Sequence, residues 1–188
     1  MRRSVAFDLS DPATSTLINR RAVRVPSPAG PRILATFSWV GPPRGLVILL
    51  SCRGEYLNAD APGYADSVLL RDVNGDGVPE IIVQHGAGTG TGWRQDASTI
   101  YRITRDTLAV VWSAVTFEGS YQGPQLGGQW ERRGTISYPR AGQIQLTVDS
   151  GAVRFDSTKT WVFIGSPTRT TQIYAWSPAT GSFKRSSH

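Results

Sequence analysis

No stretch of twelve residues in this chain carries a 3.6-residue apolar repeat, and that absence limits the fold more than any motif does. A helix without such a repeat has no apolar stripe to bury against a neighbour. The chain offers short apolar runs instead, rich in β-branched and aromatic residues and bounded by turn formers. Its 20 glycines and 12 prolines are spread along all 188 residues, which suits many turns between short strands. With 39% hydrophobic and 18% charged residues, the composition supports a folded chain with a core. The length suits one domain over residues 1–188.

The runs can be placed in order. Residues 14–25 mix β-branched and polar side chains and end at Pro26. Residues 32–40 (RILATFSWV) and 45–52 (GLVILLSC) flank a Gly-Pro-Pro turn and read as a hairpin. Residues 58–64 (NADAPGY) read as a loop. Strands are predicted over 66–73 (DSVLLRDV), 80–85 (EIIVQH), 98–104 (STIYRIT) and 108–117 (LAVVWSAVTF), an up-and-down unit with a Gly-rich loop over 86–96. Further strands are expected over 134–138, 143–148, 160–164 and 171–176, with a turn into a short last strand around Phe183. The segment 143–148 (QIQLTV) alternates strictly, as a half-buried strand should. The expectation is an all-β chain of antiparallel sheets with roughly ten to twelve strands and little helix.

Charge and cysteine content set outer bounds. Net charge is +6 and the isoelectric point about 10.0. Lysine occurs only at Lys159 and Lys184, and no Lys/Arg run exceeds two residues, so a solvated basic surface is expected and nucleic acid is not. Cys52 stands alone, which excludes an internal disulfide and fits cytosolic proteins as well as envelope proteins that use none. The longest strongly apolar run, 46–50 (LVILL), is far too short to span a bilayer, so no transmembrane segment is expected. No apolar stretch follows Met1-Arg2-Arg3, so no signal peptide is expected in the chain as written, which is compatible with a mature form.

One segment carries specific chemistry. Asp72, Asn74, Asp76 and Glu80 stand at positions one, three, five and nine of the run DVNGDGVPE. Oxygen-bearing side chains at alternate positions converge when the chain turns tightly, and Gly75 and Gly77 permit the positive φ that such a turn demands. The carbonyl of Val78, at position seven, can add a ligand. Hard cations such as Ca2+ take this kind of all-oxygen set. An EF-hand differs: it places a Glu at position twelve, which here is Val83, and it has helical flanks where this chain has β-rich ones. Asn74-Gly75 or Asp76-Gly77 alone would serve as an ordinary hairpin turn. Three carboxylates within nine residues, however, repel one another unless a cation lies among them.

The run DVNGDGVPEIIV, with an apolar strand before it and the Tyr-bearing stretch Ile100-Tyr101-Arg102-Ile103 after it, resembles the FG-GAP/VCBS repeat, the calcium-binding blade of integrin-like β-propellers. The likeness covers residues 64 to 112 in a single copy. It implies a blade-like or incomplete β-propeller with one calcium loop between two strands. It also implies Ca2+ held by Asp72, Asn74, Asp76, the Val78 carbonyl and Glu80. The family often has Asp where this chain has Glu80. Its bacterial members include extracytoplasmic proteins, some of them inhibitors or immunity proteins for cell-wall hydrolases.

The remaining constellations are weaker. The loop from Gly86 lacks the Lys-Ser/Thr pair of a phosphate-binding P-loop, but Trp93 and Arg94 at its end could meet a partner. The segment 118–133 (EGSYQGPQLGGQWERR) reads as a long loop carrying Tyr121 and Trp130, residue types enriched at recognition surfaces. His85 is the only internal histidine and reads as structural, so no catalytic residue is assigned. Glu55, Asp60, Glu118 and Glu131 are candidate acids that no spacing singles out. The expected function is a calcium-stabilised binding module, periplasmic or extracellular and not an enzyme. Its expected partner is a protein ahead of polysaccharide. The alternatives are a carboxylate-based hydrolase of envelope carbohydrate and a structural or adhesion component.

Overall fold

The computed structural model describes residues 17–25, 30–39, 44–51, 56–62, 64–90, 92–104, 107–122 and 128–186. Cys52, Glu55 and the Gly-Pro-Pro turn lie outside them. Among the described residues there are thirteen strands and no helix, and every pairing is antiparallel.

They make two sheets. The smaller holds β1 (Leu17–Val25), β2 (Arg32–Trp39), β3 (Arg44–Ser51) and β4 (Tyr56–Pro62) in chain order. The larger, nine-stranded sheet begins with β5 (Tyr64–Arg71), β6 (Glu80–Gly90), β7 (Trp93–Ile103) and β8 (Leu108–Tyr121). It continues through β9 (Gln129–Ser137), β10 (Gln143–Phe155), β12 (Thr168–Ser177) and β13 (Ser182–Arg185), with β11 (Trp161–Phe163) added on β10. The segment read as blade-like is thus a four-stranded up-and-down unit, β5–β8. The sheet runs on past it instead of ending there.

Alternation along β6 and β7 explains the core. Ile81, Val83, Tyr101 and Ile103 point to one side and pack with Leu108 against Val25, Leu34, Val47 and Leu49 of the small sheet. Ile82 and Ile100 point to the other side and cluster with Val111, Trp112, Ile144 and Phe183. Phe183 of β13 shares that cluster with Trp112 of β8, although β9, β10 and β12 lie between them in the sheet order. The large sheet therefore curls back over its own central strands. Strands covered on both faces need apolar residues at consecutive positions, which is why EIIV in β6 does not alternate.

The curl has a local origin. β8 pairs with β9 only from Phe117↔Arg133 to Tyr121↔Gln129. Beyond that point no pairing joins the two strands, and Ile136 and Tyr138 pack against the cluster that holds Val111, Trp112 and Ile144. Gly134 stands at the fork, where a Cβ would lie 3.0 Å from the Thr116 carbonyl, so a larger residue would crowd the close approach there. Along the first half of β10, which ends opposite Gly134, the strict alternation of QIQLTV is realised, with Ile144, Leu146 and Val148 all buried.

Three sequence expectations are corrected. The loop read over 86–96 is mostly strand, since β6 runs to Gly90 and β7 starts at Trp93. The loop read over 118–133 is shorter, because β8 reaches Tyr121 and β9 begins at Gln129. The loop read over 58–64 is largely β4. Glycine and polar residues lowered the local β signal in all three, and ladder hydrogen bonds to neighbouring strands outweigh that deficit.

Candidate metal loop and the opposite end of the sheet

The loop between β5 and β6 is organised by its own side chains. Asp72 accepts from the Gly75 and Gly77 amides through Oδ1 and Oδ2 at 2.7 and 2.9 Å. Asn74 Oδ1 accepts from Asp76 N at 2.8 Å, and Asp76 Oδ1 from Val78 N at 2.9 Å. Gly75 and Gly77 have φ of 86° and 84°, as their place in the sequence required. A Cβ on Gly75 would come within 2.9 Å of Ala141 Cβ, so this glycine also permits the β9–β10 turn to abut the loop. That contact is reinforced by Gly142 N donating to the Val73 carbonyl at 2.7 Å.

Glu80 closes the loop from beneath. Its Oε2 accepts from Val73 N at 2.8 Å and Asn74 N at 3.3 Å. The residue is only 1% exposed, yet its Oε1 is buried and has no hydrogen-bond partner. Burial pushes its carboxyl above the ordinary range; the two amides offset this in part, and the charges of Asp76 and Asp72 push it further up. Burial acts the same way on Asp76, but there the Val78 amide, the Asn74 amide group and the Arg102 guanidinium prevail and hold it below the ordinary range.

The donor set suits a hard cation. Every candidate ligand is an oxygen, one buried carboxylate oxygen lacks a partner, and an ionised carboxylate that accepts one amide keeps lone pairs for a metal. Among the described residues, however, no three His, Cys, Asp or Glu side chains stand together as a metal-holding group. Asp76 is drawn towards Arg102, whose Nη2 lies 2.6 Å from its Oδ2. In the sequence Arg102 is only part of the Tyr-bearing stretch Ile100-Tyr101-Arg102-Ile103. Its signal was a cation on β7, one strand beyond the loop's exit strand.

The four residues singled out for partner binding lie at the other end of the same strands. Trp93 pairs with Ser120, which pairs with Trp130, so both indoles share one face with one strand between them. Arg94 pairs with Gly119 and Tyr121 with Gln129, on the opposite, concave face. Arg94 binds Asp96 through Nε at 3.1 Å and Nη2 at 2.7 Å and lies over the Phe117 ring. Tyr121 stacks on Trp161 at 4.6 Å and donates to Glu131 Oε1 at 2.9 Å. Glu131, one of the unassigned acids, is buried and is also held by Arg133 at 2.5 Å. Glu118 lies on the other face, between Gln95 and Arg132. Asp60 belongs to β4. A cavity of about 410 Å3 opens at the fork of β8 and β9, lined by Gln84, Arg94, Asp96, Phe117 and Arg133 among others. His85, also at its wall, is buried and shares a hydrogen bond with Thr99 Oγ1 at 3.0 Å.

Tyr121 yields a pH prediction. Burial first, then donation to the Glu131 carboxylate and that group's charge, raise its hydroxyl to about 12, against opposing effects of Arg94 and Arg133. The folded state thus favours the neutral phenol. Its stabilising contribution is complete below the ordinary value of about 10 and is lost as pH rises through 12. The difference in phenolate absorbance between wild type and Tyr121→Phe should titrate at about 12. A midpoint near the ordinary tyrosine value would break the assignment.

No helix among the described residues is long and apolar enough to cross a membrane. No protein-family model, curated protein or solved structure matches this chain.

Proposed function

We propose that the chain is a calcium-stabilised extracytoplasmic binding module that recognises another macromolecule, foremost a protein, with a cell-wall hydrolase that it inhibits as the partner class. The observation that carries this reading is the division between the two ends of β5–β8. One end holds an all-oxygen loop with an orphaned, buried carboxylate oxygen; the other holds half-buried aromatic rings and a stacked arginine. The likeness of DVNGDGVPEIIV to the FG-GAP/VCBS repeat points the same way.

Asp72, Asn74, Asp76, the Val78 carbonyl and Glu80 would hold the ion. Bound calcium would supply two positive charges that offset most of the repulsion among the three carboxylates. This chain's own residues then transmit the constraint. Glu80 ties the loop to the start of β6, Val73 ties it through Gly142 to the β9–β10 turn, and Trp176 N in turn donates to the Gly142 carbonyl. Extracellular calcium sites bind with Kd on the order of 10⁻⁴ to 10⁻³ M, an affinity that fills outside the cytosol and fits export. At the far end, Trp93, Trp130 and Tyr121 have the residue chemistry of interface anchors, and Arg94 is held in place by Asp96 and Phe117.

The test is affinity capture from bacterial envelope extract in calcium, with wild type beside Trp93→Ala/Trp130→Ala. The double variant should keep its melting temperature within a few degrees and lose the captured protein. The purified partner should be a hydrolase whose activity falls on addition of this chain. Equal capture by both forms would dismiss this end of the sheet as the recognition surface.

A further inference from the structure

We infer that Arg102 is a built-in competitor for the metal at the loop, and that its guanidinium must leave Asp76 before calcium is fully bound. This rests on the calcium reading above and adds what sets the affinity. Asp76 Oδ2 accepts from Arg102 at 2.6 Å and from Asn74 Nδ2 at 3.1 Å, which uses both of that oxygen's lone pairs. Asp76 Oδ1 is engaged by the Val78 amide. Asp76 therefore has little left to offer a metal while Arg102 stays.

Arg102 has somewhere to go. Its guanidinium lies 5.3 Å from the centroid of the Trp176 ring, and the side chain is 36% exposed. Releasing Asp76 leaves it stacked on the indole and open to water, and a solvent-exposed ion pair of this kind is weak enough to exchange. Glu80 supplies the independent sign that the loop awaits a cation. Its Oε1 is buried without a partner, whereas Arg102 engages Asp76 at the exposed side of the loop.

Calcium affinity of the full chain, measured by isothermal titration calorimetry with CaCl2, should tighten about tenfold in Arg102→Met. That is the change expected when a unit charge is removed from beside a divalent ion in a water-exposed setting. Methionine keeps the stem that covers Trp176. Arg102→Gln, which also lacks the charge, should tighten binding similarly and serves if the methionine variant folds poorly. Arg71→Met removes a cation next to the loop that stacks on Tyr138 instead, and should change the affinity far less. Calcium quenching or enhancement of tryptophan fluorescence should be present in wild type and diminished in both Arg102 variants. Binding by the variants but not by wild type would also support the competition, as a fully masked site. Wild-type binding with unchanged or weaker affinity in both Arg102 variants, or equal tightening in Arg71→Met, overturns it and leaves the calcium site standing. No binding by wild type or by either Arg102 variant overturns both.

Discussion

Chelation with EGTA should lower the melting temperature of the calcium-loaded protein by about 5 to 10 °C. A ligand present at a hundred times its Kd stabilises by about 2.7 kcal/mol, and a chain of this size shifts about 2 to 4 °C per kcal/mol. With Kd on the order of 10⁻⁴ M, that excess corresponds to about 10 mM calcium. The effect should vanish in Asp76→Ala, which removes the fifth-position carboxylate. It should vanish also in Glu80→Gln, which replaces the charged group whose Oε1 lacks a partner. Of the two, Asp76→Ala is the sharper control. Asp76 is an exposed loop residue and its ion pair to Arg102 lies at the surface, so its loss should cost little stability in the absence of metal. A melting temperature that ignores chelation, in protein shown beforehand to carry metal, removes the site and with it the argument for export.

Tyr101→Ala should be the most damaging single change in the core, at about 3 to 5 kcal/mol. Among the described residues Tyr101 is the largest fully buried side chain, and it is 1% exposed. It stands on β7 in the layer where β6–β8 meet Val25, Leu34, Val47 and Leu49 of the small sheet. Its removal opens a cavity between two sheets whose contact in that layer is side-chain packing. Urea unfolding should show a lower midpoint at unchanged m, the sign of lost stability rather than altered compactness. Val110→Ala on the neighbouring strand is the comparison: Val110 is 57% exposed and its truncation should stay within about 0.5 kcal/mol. Equal losses for the two would mean that the sheets are not packed as described.

Local chemistry makes much of this legible in the sequence. Side-chain period, Gly and Pro spacing and β-branched content act within a few residues, so β2, β3, β6, β8 and β10 are each legible in the local sequence. The loop was equally local. Asp72, Asn74 and Asp76 bond to amides two to five residues away, and the glycines take the positive φ that their positions imply. Trp93, Arg94, Tyr121 and Trp130 stand out by residue type in two separate segments, and strand pairing brings those segments side by side.

Other features depend on groups distant in the chain. Strand length at 86–96 and 118–133 was missed because glycine-rich sequence has weak β preference on its own, and only a neighbouring ladder completes it. Arg102 meets Asp76 across 26 residues, and the β9–β10 turn reaches Val73 from a separate part of the sheet. Residue pattern alone determined that the chain is all-β and that an oxygen-rich turn lies between two strands, because both follow from short-range sterics and hydrogen bonding. Tertiary structure alone decided that one sheet curls over its own centre and that an arginine faces the turn. Those outcomes depend on where β8 and β9 part and on which side chains then share a buried layer.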